Sequence, residues 1–381
     1  MSAILTLNAG SSSVKFAVYA LDEDPDLLIA GQVENLGPNA RLVLDSDPRA
    51  EAEIGAADHA RALDAILEAL GPVLQGNPPV GVGHRIVHGG PAFGAPVRLD
   101  DDSVAQLSEF IPLAPLHQPH NLSMVAAARS AFPAAVQIGC FDTAFHKGHP
   151  WVNDTFALPR AYYDQGVRRY GFHGLSYDYI SGQLRSERPE LHAGRVVVAH
   201  LGNGASMCAM RGGRSVGSTM GFSALDGLPM GTRCGQLDPG VVLYLMDQGH
   251  DSSDITRILY NESGLKGLSG ISHDVRTLLP SKAPEAAQAI DYYVFRIRRE
   301  LGAMAAVLGG LDALVFCGGI GENAAEIRAR VLEDMTFLGL AVDAAANARN
   351  ARDIGAGDTP VLVIPTDEER VMARAVAAEL A

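Results

Sequence analysis

The feature that most constrains how this chain folds is a pattern that occurs once in each half. Ile4 to Leu7 is a short apolar run, Asn8-Ala9-Gly10-Ser11-Ser12-Ser13 is a polar turn, and Val14 to Tyr19 is apolar and β-rich again. Later, Arg195 to Leu201 is apolar, Gly202-Asn203-Gly204-Ala205-Ser206 is a turn, and Met207 to Met210 continues extended. Strand, Gly/Ser/Asn turn, strand is a hairpin signal. Its recurrence, in a chain of 381 residues, predicts a duplicated fold with two related lobes.

Helical and strand patterns alternate between and after the hairpins, so the fold class expected is α/β. Leu63, Ile66, Leu67 and Leu70 give a helical stripe over Ala57 to Leu70, stopped at Gly71-Pro72. Val80 to Val87 and Val136 to Phe141 read as strands. Ala287 to Leu308 reads as a long helix with Ile290, Val294, Ile297, Leu301 and Leu308 inward. Ala313 to Cys317 is a buried strand, a helix is predicted from about Asn323 to Met335, Val361 to Ile364 is a strand, and Glu368 opens a final helix.

A net charge of −14 excludes bulk binding to nucleic acid or anionic membranes, so any anionic ligand has to be held by a few placed cations and backbone N–H groups. No run reaches the length of a transmembrane helix, and Met1 to Leu5 lacks the basic start and apolar core of a signal peptide. Cys140, Cys208, Cys234 and Cys317 lie far apart and read as reduced thiols. A cytoplasmic setting is expected.

Several motifs carry chemistry. The turn from Ser11 to Ser13, followed by Lys15, offers N–H groups, hydroxyls and a point charge to phosphate, with Asn8 at the strand end; a solvated hairpin turn would look the same. It is not a Walker A loop. Arg85 interrupts the apolar run Gly83-His84-Arg85-Ile86-Val87-His88-Gly89-Gly90, where a guanidinium is costly unless it meets an anion or a structural ion-pair partner. Asp142, in Phe141-Asp142-Thr143-Ala144-Phe145-His146, ends a strand, a place for an active-site acid or for a helix N-cap. His173 lies between glycines in Arg169-Tyr170-Gly171-Phe172-His173-Gly174, and Arg233 lies between glycines in Met230-Gly231-Thr232-Arg233-Cys234-Gly235. Two arginines in constrained backbone are suited to clamp a phosphoryl group.

Gly319-x-Gly321-x-x-Ala324 formally matches a dinucleotide fingerprint, with Asp343 downstream. Little chain remains after it to build the rest of such a domain, so a nucleotide resting at a helix start is the reading favoured over an oxidoreductase. The pairs His84/His88, His117/His120 and His146/His149 have ligand-like spacing but no cysteine or His-Glu-x-x-His context, which argues against zinc.

In order, these segments together with Leu113-Ala114-Pro115-Leu116-His117, His200-Leu201-Gly202-Asn203-Gly204 and Gly318-Gly319-Ile320-Gly321-Glu322-Asn323 resemble the acetate kinase family over nearly the whole chain. The resemblance implies the two-lobed, duplicated ribonuclease H-like fold of sugar kinases, actin and Hsp70. Lobe boundaries would be 1–147 plus 366–381 for the N-terminal lobe, with the phosphate hairpin, acyl-substrate and metal residues. The C-terminal lobe, 148–365, would carry the second hairpin, the adenosine site and dimerisation.

The resemblance also implies roles. Asn8 and Glu368 would hold Mg2+, or Mn2+, through waters. Lys15, Ser11 and Ser13 would face phosphate, and His200, Leu201, Gly202, Asn203 and Gly204 would cradle the phosphates of ATP. Asp274, Val275, Arg276, Gly319, Ile320, Gly321, Glu322 and Asn323 would line the nucleotide. Arg85, Asp142, His173 and Arg233 would carry catalysis. Val87, Leu116, Phe172 and Ala224, with Arg85, would hold the substrate. The reaction implied is reversible phosphorylation of acetate by ATP to acetyl phosphate and ADP, in a homodimer. Departures from the family pattern are Ala224 for proline, Gln118 for asparagine, Leu175-Ser176-Tyr177 for Thr-Ser-His, Gln236 for aspartate and Asp367 for asparagine. Alanine at 224 leaves more acyl room, so a propionate or butyrate kinase is the alternative.

Overall fold

The opening hairpin seeds the first sheet. In this computed structural model, which describes residues 2–10, 12–45 and 49–381, β1 (Ala3–Ala9) pairs antiparallel with β2 (Val14–Ala20), and Asn8 stands opposite Lys15. Strands β3 (Asp26–Glu34), β4 (Gly37–Leu44) and β5 (Ala50–Ala57) extend that side antiparallel. On the other side β6 (Gly81–Ile86) runs parallel to β1 and β8 (Val136–Phe141) parallel to β6, with the short β7 (Val97–Arg98) at the edge. This unit comprises Met1–Phe145 and Asp367–Ala381.

Ile4, Leu5 and Leu7 are all buried, the near-continuous apolar run of a strand covered on both faces. The helix His59–Leu74 adds Leu63, Ile66 and Leu70 to the same core. It does not stop at Gly71-Pro72 as expected but runs through Pro72 to Leu74, capped by Gln75, whose N–H donates to the Gly71 carbonyl. So close to the helix end, proline forfeits one ladder bond and the remaining turn is still closed. The last helix, Glu368–Leu380, buries Met372, Ala373, Val376 and Ala377. It lies so close to β6 that a Cβ on Gly81 would sit 2.4 Å from Val376 Cγ1. Burying methionine and valine in this way is worth roughly 1.5–3 kcal/mol each, which ties the chain's end to its first unit.

The second unit is His146–Thr366. Its sheet is β11 (Arg214–Ser218), β10 (Ala205–Arg211), β9 (Arg195–Leu201), β12 (Ala313–Cys317) and β13 (Val361–Val363), in that order. The long helix Pro284–Leu308 packs with Ile290, Val294, Ile297, Leu301 and Leu308 inward, the stripe read from the sequence. One expectation fails here. Gly318–Asn323 is itself a short helix, followed by a second one over Ala325–Leu332, where a single helix from Asn323 to Met335 was predicted. The break falls at Ala324, whose ψ of 78° is not helical.

The duplication is explicit in the topology. The series β3-β2-β1-β6-β8 and β11-β10-β9-β12-β13 have the same order and the same strand directions: two antiparallel pairings, then two parallel ones. Among the described residues no helix is long and apolar enough to cross a membrane.

Candidate active site

In the first unit the candidate side chains Asn8, Arg85 and Asp142 gather where β1, β6 and β8 end. Arg85, the charged interruption of β6, meets Asp142, the residue just after β8. Nε donates to Asp142 Oδ1 at 2.9 Å and Nη2 to Oδ2 at 2.5 Å, a two-pronged pair. Nη1 donates to Asn8 Oδ1 at 3.0 Å. Asp142 is 1% exposed and the Arg85 side chain 19%. Burial opposes charge on Arg85, yet Asp142 and Glu368 hold it more firmly protonated than an ordinary arginine. These contacts use three of five guanidinium N–H bonds, so two remain for an anion's oxygens.

Glu368 opens the last helix and lies 4.0 Å from Arg85 Nε. Burial pushes its carboxyl up to about 7; Arg85 pulls it back, and the charges of Asp142 and Glu369 push it up again. Asn121, which sequence reasoning missed, braces this cluster: its Oδ1 accepts from Val87 N–H and its Nδ2 donates to the Ala9 carbonyl. No sequence signal marks it, because an asparagine inside a helix reads as a solvated face. Val87 is 5% exposed and Leu116 is 37% exposed. Lys15 is exposed and Ser13 half-buried, with the Ser13 carbonyl accepting from Gly10 N–H at 2.8 Å. Ser11 lies outside the described residues.

The second unit builds its own cluster around the second hairpin turn. His173 has φ 57°, left-handed backbone at the start of helix Gly174–Glu187. A non-glycine residue held there is often functional. Its ring stacks on His200, centroids 4.2 Å apart and planes 21° apart. Its Nδ1 is 2.8 Å from Ser206 Oγ. Arg233 Nη1 donates to the Ala224 carbonyl at 3.2 Å. The Arg233 loop is tied to the turn by Gly231 N–H donating to the Asn203 carbonyl at 3.1 Å. Phe172 is buried and Ala224 half-buried.

Beside the same turn lies a cavity of about 590 Å³ lined by Gly202, Asn203, His273, Asp274, Val275, Arg276, Leu279, Gly319, Ile320, Asn323 and Ala324. Most of the residues predicted to line the nucleotide are here. His273, Leu279 and Ala324 are additional. Gly321 and Glu322 are not on this wall. Gly321 is buried, and Glu322 turns back so that one carboxylate oxygen accepts from Gly318 N–H at 2.8 Å and Thr366 N–H at 3.1 Å. The helical winding of Gly318–Asn323 is the reason, since about 100° per residue brings Gly319, Ile320 and Asn323 to one face and turns Gly321 and Glu322 away from it. Asp274 caps the helix Val275–Leu278 by accepting from Arg276 N–H, and pairs with the Arg276 guanidinium.

The histidine pairs serve local structure. His84 Nε2 bonds Gln137 Oε1 at 2.8 Å, and His146 and His149 both contact Ser215 Oγ. His120 stacks on His59, centroids 4.9 Å apart.

The model of the Acetokinase family matches residues 3–374. Acetate kinase of Methylocella silvestris is 54% identical over 388 aligned residues, covering 97% of this chain and 96% of that protein. The crystal structure of Porphyromonas gingivalis acetate kinase superposes with a TM-score of 0.90 at 37% identity and full coverage of both chains. A propionate kinase from Francisella tularensis superposes with a TM-score of 0.93 at 34% identity, covering 98% of this chain and 99% of the other. With its two matching sheets, its arginine and histidine clusters and a family match over nearly its whole length, this chain belongs to the acetokinase family.

Proposed function

We propose that the protein transfers a phosphoryl group between ATP and acetate, reversibly, giving acetyl phosphate and ADP. The observation that carries this reading is the state of Asp142: both carboxylate oxygens accept from Arg85. An acid so engaged is oriented as the partner of the guanidinium rather than toward a substrate. The acceptor does not require a general base. A carboxylate, with a reference pKa near 4, is already ionised at neutral pH. Asp142 therefore acts by fixing the Arg85 guanidinium, whose remaining N–H bonds bind the substrate carboxylate or the acyl phosphate. The relatives' names support acetate as that carboxylate.

His173 and Arg233 are assigned to the transferring phosphoryl group. As it leaves ADP its charge spreads over three equatorial oxygens, and a neutral N–H donor and a guanidinium both stabilise that distribution. The turn His200–Gly204 takes the phosphates, and the cavity beside it takes the adenosine. For the acyl group, Val87 and Leu116 are the side chains assigned in the first unit, and Phe172 and Ala224 those assigned in the second. Lys15, Ser11 and Ser13 supply further phosphate contacts.

Magnesium fits the donor set. Glu368 carries a carboxyl raised by burial and crowded by Asp142 and Glu369, and Asn8 adds an amide oxygen. Among the described residues no group of three or more His, Cys, Asp or Glu side chains makes an all-protein cage. One or two protein oxygens completed by water and phosphate is the way a hard, small divalent cation is usually held. When bound, it would neutralise charge on the phosphates. Mn2+ fits the same donors.

We also infer a cytoplasmic homodimer. Val241, Leu243, Tyr244 and Met246 project exposed from the helix Pro239–Asp247, which buries no side chain in this chain alone. A patch of this kind marks an interface, and light scattering at the mass of two chains is the expected result.

The test of activity is hydroxylamine trapping with MgATP and acetate, propionate or butyrate. Acetyl hydroxamate should form in step with ADP, and acetate should have the highest kcat/KM. One methylene is worth about 1–3 kcal/mol, so a tenfold or larger preference is expected. ADP release without any hydroxamate would contradict the reading.

A further inference from the structure

Ser206 is a polar residue on a strand that is otherwise apolar and fully buried from Ala205 to Met210. A hydroxyl there has to be satisfied inside the protein. Its oxygen has two neighbours: His173 Nδ1 at 2.8 Å and Tyr177 Oη at 2.5 Å. Tyr177 itself is fully buried, one turn into the helix that His173 begins, and its ring is fixed edge-on to His146, centroids 5.5 Å apart. This is the tyrosine that stands where the family pattern commonly has histidine.

Proton arithmetic decides the direction of the chain of bonds. A serine hydroxyl has one hydrogen, so it donates to one neighbour only. A phenol is a much stronger acid than an alcohol and the weaker acceptor of the two, and the 2.5 Å separation suits a phenol O–H donating to the serine oxygen. The serine hydrogen is then directed at His173. Nδ1 becomes the acceptor, and the ring proton resides on Nε2. The other edge of the ring lies against the hairpin turn: a Cβ built on Gly204 would be 3.2 Å from His173 Nε2 and 3.8 Å from Arg233 Nη1. On one face the ring is stacked on His200, centroids 4.2 Å apart.

We propose that Tyr177 is a positioning residue, which through Ser206 fixes His173 as the neutral Nε2–H tautomer and so aims an N–H donor at the transferring phosphoryl group. The assignment of the target rests on the phosphoryl-transfer reading above; the tautomer does not.

The test uses the whole enzyme labelled with 15N-histidine and long-range proton–nitrogen NMR at pH 8, with His173 assigned by its loss in His173→Asn. Wild type should show His173 protonated at Nε2. Tyr177→Phe, which keeps the ring and removes the hydroxyl, should shift the resonance toward the Nδ1–H form. It should lower kcat about fivefold to tenfold, the scale of one hydrogen bond, with KM for ATP and acetate within twofold. Ser206→Ala should do the same or more, and it substitutes for Tyr177→Phe if that variant fails to fold. Wild-type His173 protonated at Nδ1, or folded variants with unchanged tautomer and kcat, would overturn the proposal. A tautomer shift in a protein without kinase activity would sink the functional reading and leave the relay standing.

Discussion

Replacing Gly204 by alanine separates catalysis from stability at one atom. Gly204 is absent from the positive-φ positions, so alanine takes its backbone without strain. An added Cβ would stand 3.5 Å from His173 Cε1, an ordinary contact, but 3.2 Å from Nε2, closer than ordinary, so the ring must give by a few tenths of an ångström. Such a shift is small for folding: a compatible glycine-to-alanine change gains about 0.4–1 kcal/mol through the unfolded state, which offsets the contact. It is large for chemistry, because a displacement of about 1 Å costs on the order of 100-fold. A few tenths of an ångström, on the donor aimed at the phosphoryl group, predicts a fall in kcat of roughly fourfold to tenfold. Gly182→Ala is the control: nothing lies within 4 Å of its added Cβ, and it sits inside a helix. Hydroxamate kinetics and urea unfolding on both variants make the comparison. Full turnover in folded Gly204→Ala would refute the placement of His173 in the reaction; an equal loss in Gly182→Ala would show that the effect is not local.

Asp142→Asn keeps the shape but removes the charge that pairs with Arg85. Breaking a buried pair costs roughly 3–5 kcal/mol, and Glu368 at 4.0 Å compensates part of that, so urea unfolding should report about 3 kcal/mol together with poor turnover. Wild-type values for both would remove Asp142 from the account. Arg233→Ala should lower kcat by roughly 10³–10⁵, the scale of an arginine on a phosphoryl transition state, with CD unchanged; near-normal turnover would exclude it. His84 is buried against Gln137, and burial lowers its pKa from 6.5 to about 4, the hydrogen bond opposing. Between those values the unfolded chain binds the proton and the folded one does not, so stability falls as pH drops from 6.5 toward 4, by roughly 3 kcal/mol for this residue. Urea midpoints of His84→Gln should be flatter across that window; an unchanged slope would contradict the burial argument.

Much of this was legible in the sequence because apolar runs and glycine turns carry strong local signals. The two hairpins, the strands Val136–Phe141 and Ala313–Cys317 and the stripe on Pro284–Leu308 follow from periodicity alone. The strands Asp26–Glu34, Gly37–Leu44 and Ala50–Ala57 carry no such signal, because glycine, proline, asparagine or charged residues interrupt their apolar runs and Ala50–Ala57 is mostly exposed. In the site, Arg85 was conspicuous as a charge inside an apolar strand. Asn121 was not, and Ser206 and Tyr177 stood out only as part of a turn and as a departure from the family pattern, because their roles depend on side chains brought together across tens of residues.

The stereochemistry of transfer tests the central claim directly. ATP made chiral at the γ-phosphorus with oxygen isotopes, turned over with acetate, gives acetyl phosphate whose configuration can be read. Attack by the substrate carboxylate on phosphorus in a single in-line step predicts inversion. Retention would mean that a carboxylate of the protein carries the phosphoryl group first, and would contradict the assignment of Asp142 as the residue that holds Arg85.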